Sequence, residues 1–200
     1  MGSDPAERSG EGAGEVITRD DPRWQRLHAI VEAHSLLRGD FTLTSGRKSS
    51  YLFQLRQTTL HPEGAFLIGQ IIVDYMRRQG LRCVGGLEMG AVPVVTSVAC
   101  VSFQAEYPVD AFFIRKAVKT HGARERVDGH VGDGAEVLML DDVTTTGGSI
   151  LKAIDGLAEE RACTVSVALS LLDREEGASE MLAERGLKLV SIFRKSDFSI

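Results

Sequence analysis

Glu136-Val-Leu-Met-Leu-Asp-Asp-Val-Thr-Thr-Thr-Gly-Gly-Ser-Ile150 decides how this 200-residue chain is read. Its apolar run, Val137 to Leu140, has the length of a buried strand. Two carboxylates follow, Asp141 and Asp142. Then come Val143, three threonines (Thr144, Thr145 and Thr146), Gly147, Gly148 and Ser149. From Ile150 the pattern turns helical, with Ile150, Leu151, Ile154, Leu157 and Ala158 on one face. The order is strand, acidic pair, hydroxyl- and glycine-rich turn, helix.

That order has a chemical meaning. A turn that opens a helix presents unpaired N–H groups and the positive end of the helix dipole, which suits a phosphate. Gly147 and Gly148 let the backbone approach an anion closely. The hydroxyls of Thr144, Thr145, Thr146 and Ser149 add donors. Two carboxylates beside a phosphate site would repel a ligand that was only phosphate. They fit one that also carries hydroxyls, and a ribose 5-phosphate group meets both demands. A Walker A loop is excluded, because its Gly-Lys-Ser/Thr end is missing.

Composition sets the bounds. Two hundred residues fit one domain with a sizeable core, and 43% hydrophobic with 26% charged residues is ordinary for a globular protein. A net charge of -5 gives no sign of a nucleic-acid partner. Positive charge for an anionic ligand must therefore be concentrated locally. Cys83, Cys100 and Cys163 lack metal-ligand spacing and are expected as small core residues in a reducing compartment. No stretch is apolar enough to span a bilayer, and no hydrophobic signal core is seen near Met1, so a cytoplasmic location is expected.

Residues 1–20 are polar and are expected as a mobile tail before a domain at 21–200. Trp24, Leu27, Ile30, Val31 and His34 predict a helix from Pro22, ended by Gly39. In 40–60, Phe41 and Leu43 alternate with polar residues, as do Tyr51, Phe53 and Leu55. Ser45-Gly46 supplies a turn, so a hairpin is expected to form a small hood apart from the main sheet. A helix from Pro62 to Gln79 stops at Gly80. Cys83 to Leu87 is a short strand, and Glu88-Met-Gly leads into a helix ending near Phe103. The next strand, Asp110 to Ile114, runs into a basic stretch carrying Arg115, Lys116, Lys119, His121, Arg124 and Arg126. Further on, Thr164 to Leu172 is a long strand ending at Asp173-Arg174, a helix spans 178–185, and Leu187 to Phe193 is the last strand. Alternating strands and helices imply an α/β fold, a mostly parallel central sheet flanked by helices.

The 136–150 stretch resembles the phosphoribosyl-diphosphate (PRPP) signature of the type I phosphoribosyltransferases. Three further segments narrow the likeness to the orotate phosphoribosyltransferases. Phe-Thr-Leu-Thr-Ser-Gly-Arg-Lys-Ser-Ser-Tyr51 resembles their hood, and Arg115-Lys-x-x-Lys-x-His-Gly122 resembles their mobile catalytic loop, about 115–130. Asp173-Arg-x-x-Gly177 resembles the segment whose arginine meets the orotate carboxylate. Thr44 and Met89 depart from the pattern, since many members have lysine at both positions.

The resemblance implies transfer of the phosphoribosyl group from PRPP to orotate, giving orotidine 5'-monophosphate and diphosphate in pyrimidine biosynthesis. It implies Lys119, Asp141 and Asp142 as catalytic residues. PRPP would be bound by Arg115, Lys116, Lys119 and His121 and by the run Asp141 to Ser149, Val143 included. Thr145 and Arg174 would hold orotate. Mg2+ would be bound mainly through the diphosphate and the ribose hydroxyls, with no dedicated protein ligands. A homodimer would place the basic loop in the neighbouring site. A purine or uracil phosphoribosyltransferase would share the central motif without the basic loop. A non-catalytic sensor of the sugar diphosphate would keep the cradle, lose the loop and usually add a nucleic-acid surface.

Overall fold

A computed structural model describes residues 15–42, 46, 48–117 and 125–200. Within these, α1 (Pro22–His34) leads into a hairpin of β1 (Leu36–Thr42) and β2 (Lys48–Phe53), followed by α2 (Arg56–Thr59) and α3 (Pro62–Gln79). Then come β3 (Cys83–Gly86), α4 (Ala91–Gln104), β4 (Asp110–Ile114), β5 (Val127–Gly129) and β6 (Glu136–Thr144). The chain ends with α5 (Gly148–Ala158), β7 (Thr164–Asp173), α6 (Ala178–Ala183) and β8 (Lys188–Arg194).

Local chemistry sets several of these boundaries. Asp21 caps α1 by accepting from Arg23 N at 2.8 Å, with Pro22 in the first turn. The helix stops at His34, not at Gly39: Ser35 makes the last i→i−4 bond, to the Val31 carbonyl, and Leu36 is already paired with Phe53 in the hairpin. Gly39 lies inside β1, where the register with β2 breaks between Arg38 and Phe41. His34 is exposed and stacks on His61, ring centroids 5.1 Å apart, so it does not share the buried face. Pro62 and Gly80 bound α3 as expected.

Six strands form the main sheet in the order β5-β4-β3-β6-β7-β8, and only β5 runs antiparallel to its neighbour. Alternate residues of β6 feed two cores. Leu138 and Leu140 pack with α1, α3 and α4, while Val137 and Met139 pack with α5 and α6. Helices therefore cover both faces, as the alternation implies. The hood is a separate two-stranded sheet. The direction of strand addition reverses between β3 and β6: β4 joins one side of β3 and β6 the other. Ligands of open α/β sheets collect at the carboxyl ends of the strands at such a reversal.

Other expectations need correction. Residues 15–20 were expected in the mobile tail, yet Val16 is 2% exposed in the core and Arg78 Nη2 donates to its carbonyl at 2.6 Å. An apolar side chain with a buried slot and a cation on its carbonyl is held in place. Leu55 lies beyond β2 and precedes α2. Cys83 is buried, Cys163 half-buried, but Cys100 is exposed. Burial pushes the Cys83 thiol up to about 12, so it behaves as an inert core residue. Among the described residues no helix is long and apolar enough to cross a membrane.

Candidate active site

The site grows from the end of β6. This strand extends beyond its apolar run through both acids to Thr144, because β7 pairs with it all the way: Asp141 opposite Ser170, Val143 opposite Leu172 and Thr144 opposite Asp173. Strand alternation turns the two acids apart. Asp142 lies against the β3–α4 turn, where a Cβ on Gly90 would overlap its carboxylate. Glycine there leaves the room that the Asp142 carboxylate occupies.

Asp141 is buried. Its Oδ1 accepts from Asp142 N at 3.1 Å, and Asp142 Oδ1 accepts from Val143 N at 3.0 Å. Burial, and then the negative charge of Asp142, push the Asp141 carboxyl up to about 7, while Lys116 pulls it the other way. Near neutrality it is therefore poised to ionise as positive charge approaches.

Next comes the turn into α5. Gly147 has φ 82°, a left-handed conformation that suits glycine. It stands at the N-cap of α5, and no side chain caps this end. The first amides of this eleven-residue helix therefore have no side-chain cap among the described residues, and such amides suit an anion. Thr144 is buried, and its hydroxyl has no partner among the described residues.

Arg174 sits one strand away. Its amide donates to the Thr144 carbonyl at 2.9 Å. The guanidinium pairs with Glu176 at 2.8 Å and lies 5.7 Å from the Tyr51 ring centroid in the hood. Its side chain is 14% exposed, and its Nε–H is buried without a partner among the described residues. The structure thus brings Thr144 and Arg174 together beside Tyr51 of the hood.

The basic stretch is less uniform than its composition. Arg115 is paired with Asp128 and lies 3.9 Å from Glu88 Oε2. Lys116 is exposed at the mouth, with its amide donating to Glu88 Oε1 at 2.9 Å. Arg126 points away from the acids: its Nη1 meets Glu159 at 3.0 Å and its amide meets Glu160 at 2.6 Å. Val127–Gly129, read as loop, forms β5 against β4. Lys119, His121 and Arg124 lie outside the described residues, as do Thr44 and Arg47.

Glu88 was not singled out from the sequence, yet it ties the basic stretch to the β3–α4 turn. The hint was its place at a strand's carboxyl end. Among the described residues no three His, Cys, Asp or Glu side chains converge as a metal site. Between the hood base (52–57) and Asp142 and Val143 lies a depression of about 460 Å³.

A family model described as a phosphoribosyl transferase domain matches residues 57–195. Over 177 residues the chain is 44% identical to an orotate phosphoribosyltransferase of Rhodopseudomonas palustris (strain BisB18), an alignment covering 86% of this chain and 94% of that one. The chain belongs to the orotate phosphoribosyltransferases. Among solved structures, the orotate phosphoribosyltransferase of Mycobacterium tuberculosis H37Rv in complex with Fe(III) dicitrate superposes with a TM-score of 0.78 at 32% identity, covering 90% of this chain and 100% of that one. The same enzyme in complex with PRPP gives 0.74 at 31% identity, covering 88% and 98%. As an orotate phosphoribosyltransferase this chain is a glycosyltransferase, and its acid pair and uncapped helix occupy the strand ends where the sheet reverses.

Proposed function

We propose that this orotate phosphoribosyltransferase joins orotate to the sugar of PRPP at the carboxyl end of β6, giving orotidine 5'-monophosphate and diphosphate for pyrimidine biosynthesis. The observation that carries the residue roles is the succession of a paired acid site, an unsatisfied helix start and a buried arginine on adjoining strand ends.

The 5'-phosphate rests on the amides and hydroxyls from Thr145 to Ser149, which fixes the sugar. Asp141 and Asp142 accept from the ribose hydroxyls. As the C1–O bond to diphosphate breaks, positive charge grows on the ring and favours the ionised form of Asp141. Negative charge on the departing diphosphate is offset by Lys116, Lys119 and His121. Arg115 contributes if it leaves Asp128. Lys119 has the largest effect on the chemical step. Arg174 offers its fork, including the unpartnered Nε–H, to the orotate carboxylate, with Thr145 beside it. The hood closes over the flat ring.

Mg2+ fits this donor set. Two adjacent carboxylates, Asp141 and Asp142, suit a hard ion held largely by the substrate's own oxygens. Asp141 and Asp142 would reach it through the sugar hydroxyls, and it would neutralise leaving-group charge. Closure of the basic loop over the site, from the partner subunit of a homodimer, would exclude water. A cytoplasmic enzyme is proposed. The test is spectrophotometric loss of orotate with PRPP and Mg2+, with uracil and adenine as controls. Turnover of a control base without orotate turnover would overturn the assignment.

A further inference from the structure

Arg56 opens α2, between the hood and α3. Its platform is fixed. Leu55, Thr58 and Thr59 are buried, and Thr58 Oγ1 lies 2.6 Å from Ser35 Oγ. Gln54 N donates to the Ser35 carbonyl at 2.8 Å. A Cβ on Gly64 would overlap the Thr58 carbonyl, so α3 closes on α2 without slack. From this base the exposed Arg56 lines the depression that also contains Asp142.

Arg115 is paired with Asp128, Arg126 with Glu159 and Arg174 with Glu176. Arg56 has no ion pair or side-chain hydrogen bond among the described residues. Opposite it, the β3–α4 turn offers no cation: Met89 is neutral and 59% exposed. Asp142 is the carboxylate that lines this depression. A cleft with an acceptor carboxylate on one wall and a free planar fork on the other fits a ligand with hydroxyls at one end and anionic oxygens at the other.

We infer that Arg56 is a binding residue for the diphosphate of PRPP, gripping it from the hood side while the sugar hydroxyls rest on Asp142. This rests on the PRPP reading above. It assigns to α2 a positive charge that the β3–α4 turn does not supply.

Titration calorimetry of the wild type, Arg56→Ala and Arg56→Lys tests this with PRPP, inorganic diphosphate and ribose 5-phosphate, each with Mg2+. Steady-state kinetics run beside it. Arg56→Ala should weaken PRPP and diphosphate about tenfold or more. Ribose 5-phosphate affinity and the orotate KM should stay within about twofold, and Arg56→Lys should recover part of the loss. The side chain is exposed, so both variants should unfold at the wild-type temperature. Unchanged diphosphate binding in Arg56→Ala, or a loss confined to orotate, overturns this inference alone. Wild-type protein that binds no PRPP overturns the underlying reading as well.

Discussion

Arg174 is locked to Thr144: its amide donates to the Thr144 carbonyl at 2.9 Å across the ends of β7 and β6. This bond fixes the backbone of the arginine beside the turn proposed to receive the phosphate. The side chain keeps a buried, unpartnered Nε–H, and a buried donor left unmade costs about 1–3 kcal/mol. A carboxylate ligand would recover that cost.

Arg174→Ala should therefore raise the orotate KM by about tenfold or more, with the PRPP KM changed by about twofold at most. Initial-rate kinetics with each substrate varied in turn would show the split. Equal effects on both would remove Arg174 from the orotate site.

Lys119→Ala should lower kcat by about a hundredfold or more, because a cation that meets charge developing in the transition state acts on the chemical step. Circular dichroism and the thermal midpoint should stay at wild-type values. Near-normal turnover would reassign that role to other cations.

Gly90→Ala pushes a methyl into the Asp142 carboxylate. The acid must move, and displacement of a positioning group by an ångström or so costs up to about a hundredfold. We expect kcat/KM for PRPP to fall tenfold or more, and calorimetry with ribose 5-phosphate to show weaker binding. Wild-type values for both would mean Asp142 does not hold the sugar.

The free protein should lose stability as pH rises through neutrality. Asp141 ionises near 3.8 when unfolded, while burial and Asp142 lift it to about 7 in the fold. Between those values the folded state retains a proton that the unfolded chain has released. The associated stability is full below about pH 4 and disappears as pH passes about 7. Urea unfolding from about pH 5 to pH 8 should show this decline, and Asp141→Asn should flatten it. Parallel slopes for the two proteins would refute the protonated acid.

Much of this was legible in the chain. Val137 to Leu140 announced a buried strand, and the glycines and hydroxyls after it announced the turn into α5, because periodicity and turn chemistry are local signals. Pro62 and Gly80 bounded α3 for the same reason. The sequence hid what depends on distant partners. Val127–Gly129 is too short to show alternation and is a strand only because β4 lies beside it. Arg115 and Arg126 looked alike in a basic run, yet Asp128 takes one and Glu159 the other. The Arg56 guanidinium, unpaired among the described residues, carried no pattern, since pairing is a property of the surroundings.

The reversal of the sheet between β3 and β6 has one more consequence. Gly90 and Asp142 reach each other only once two remote parts of the chain have zipped into a shared parallel ladder. A half-assembled molecule owns no fraction of the proposed sugar pocket, so its affinity would arrive all at once with the finished slab. Substrate in the surroundings then acts as a quality gauge, drawing the population toward completed molecules by mass action.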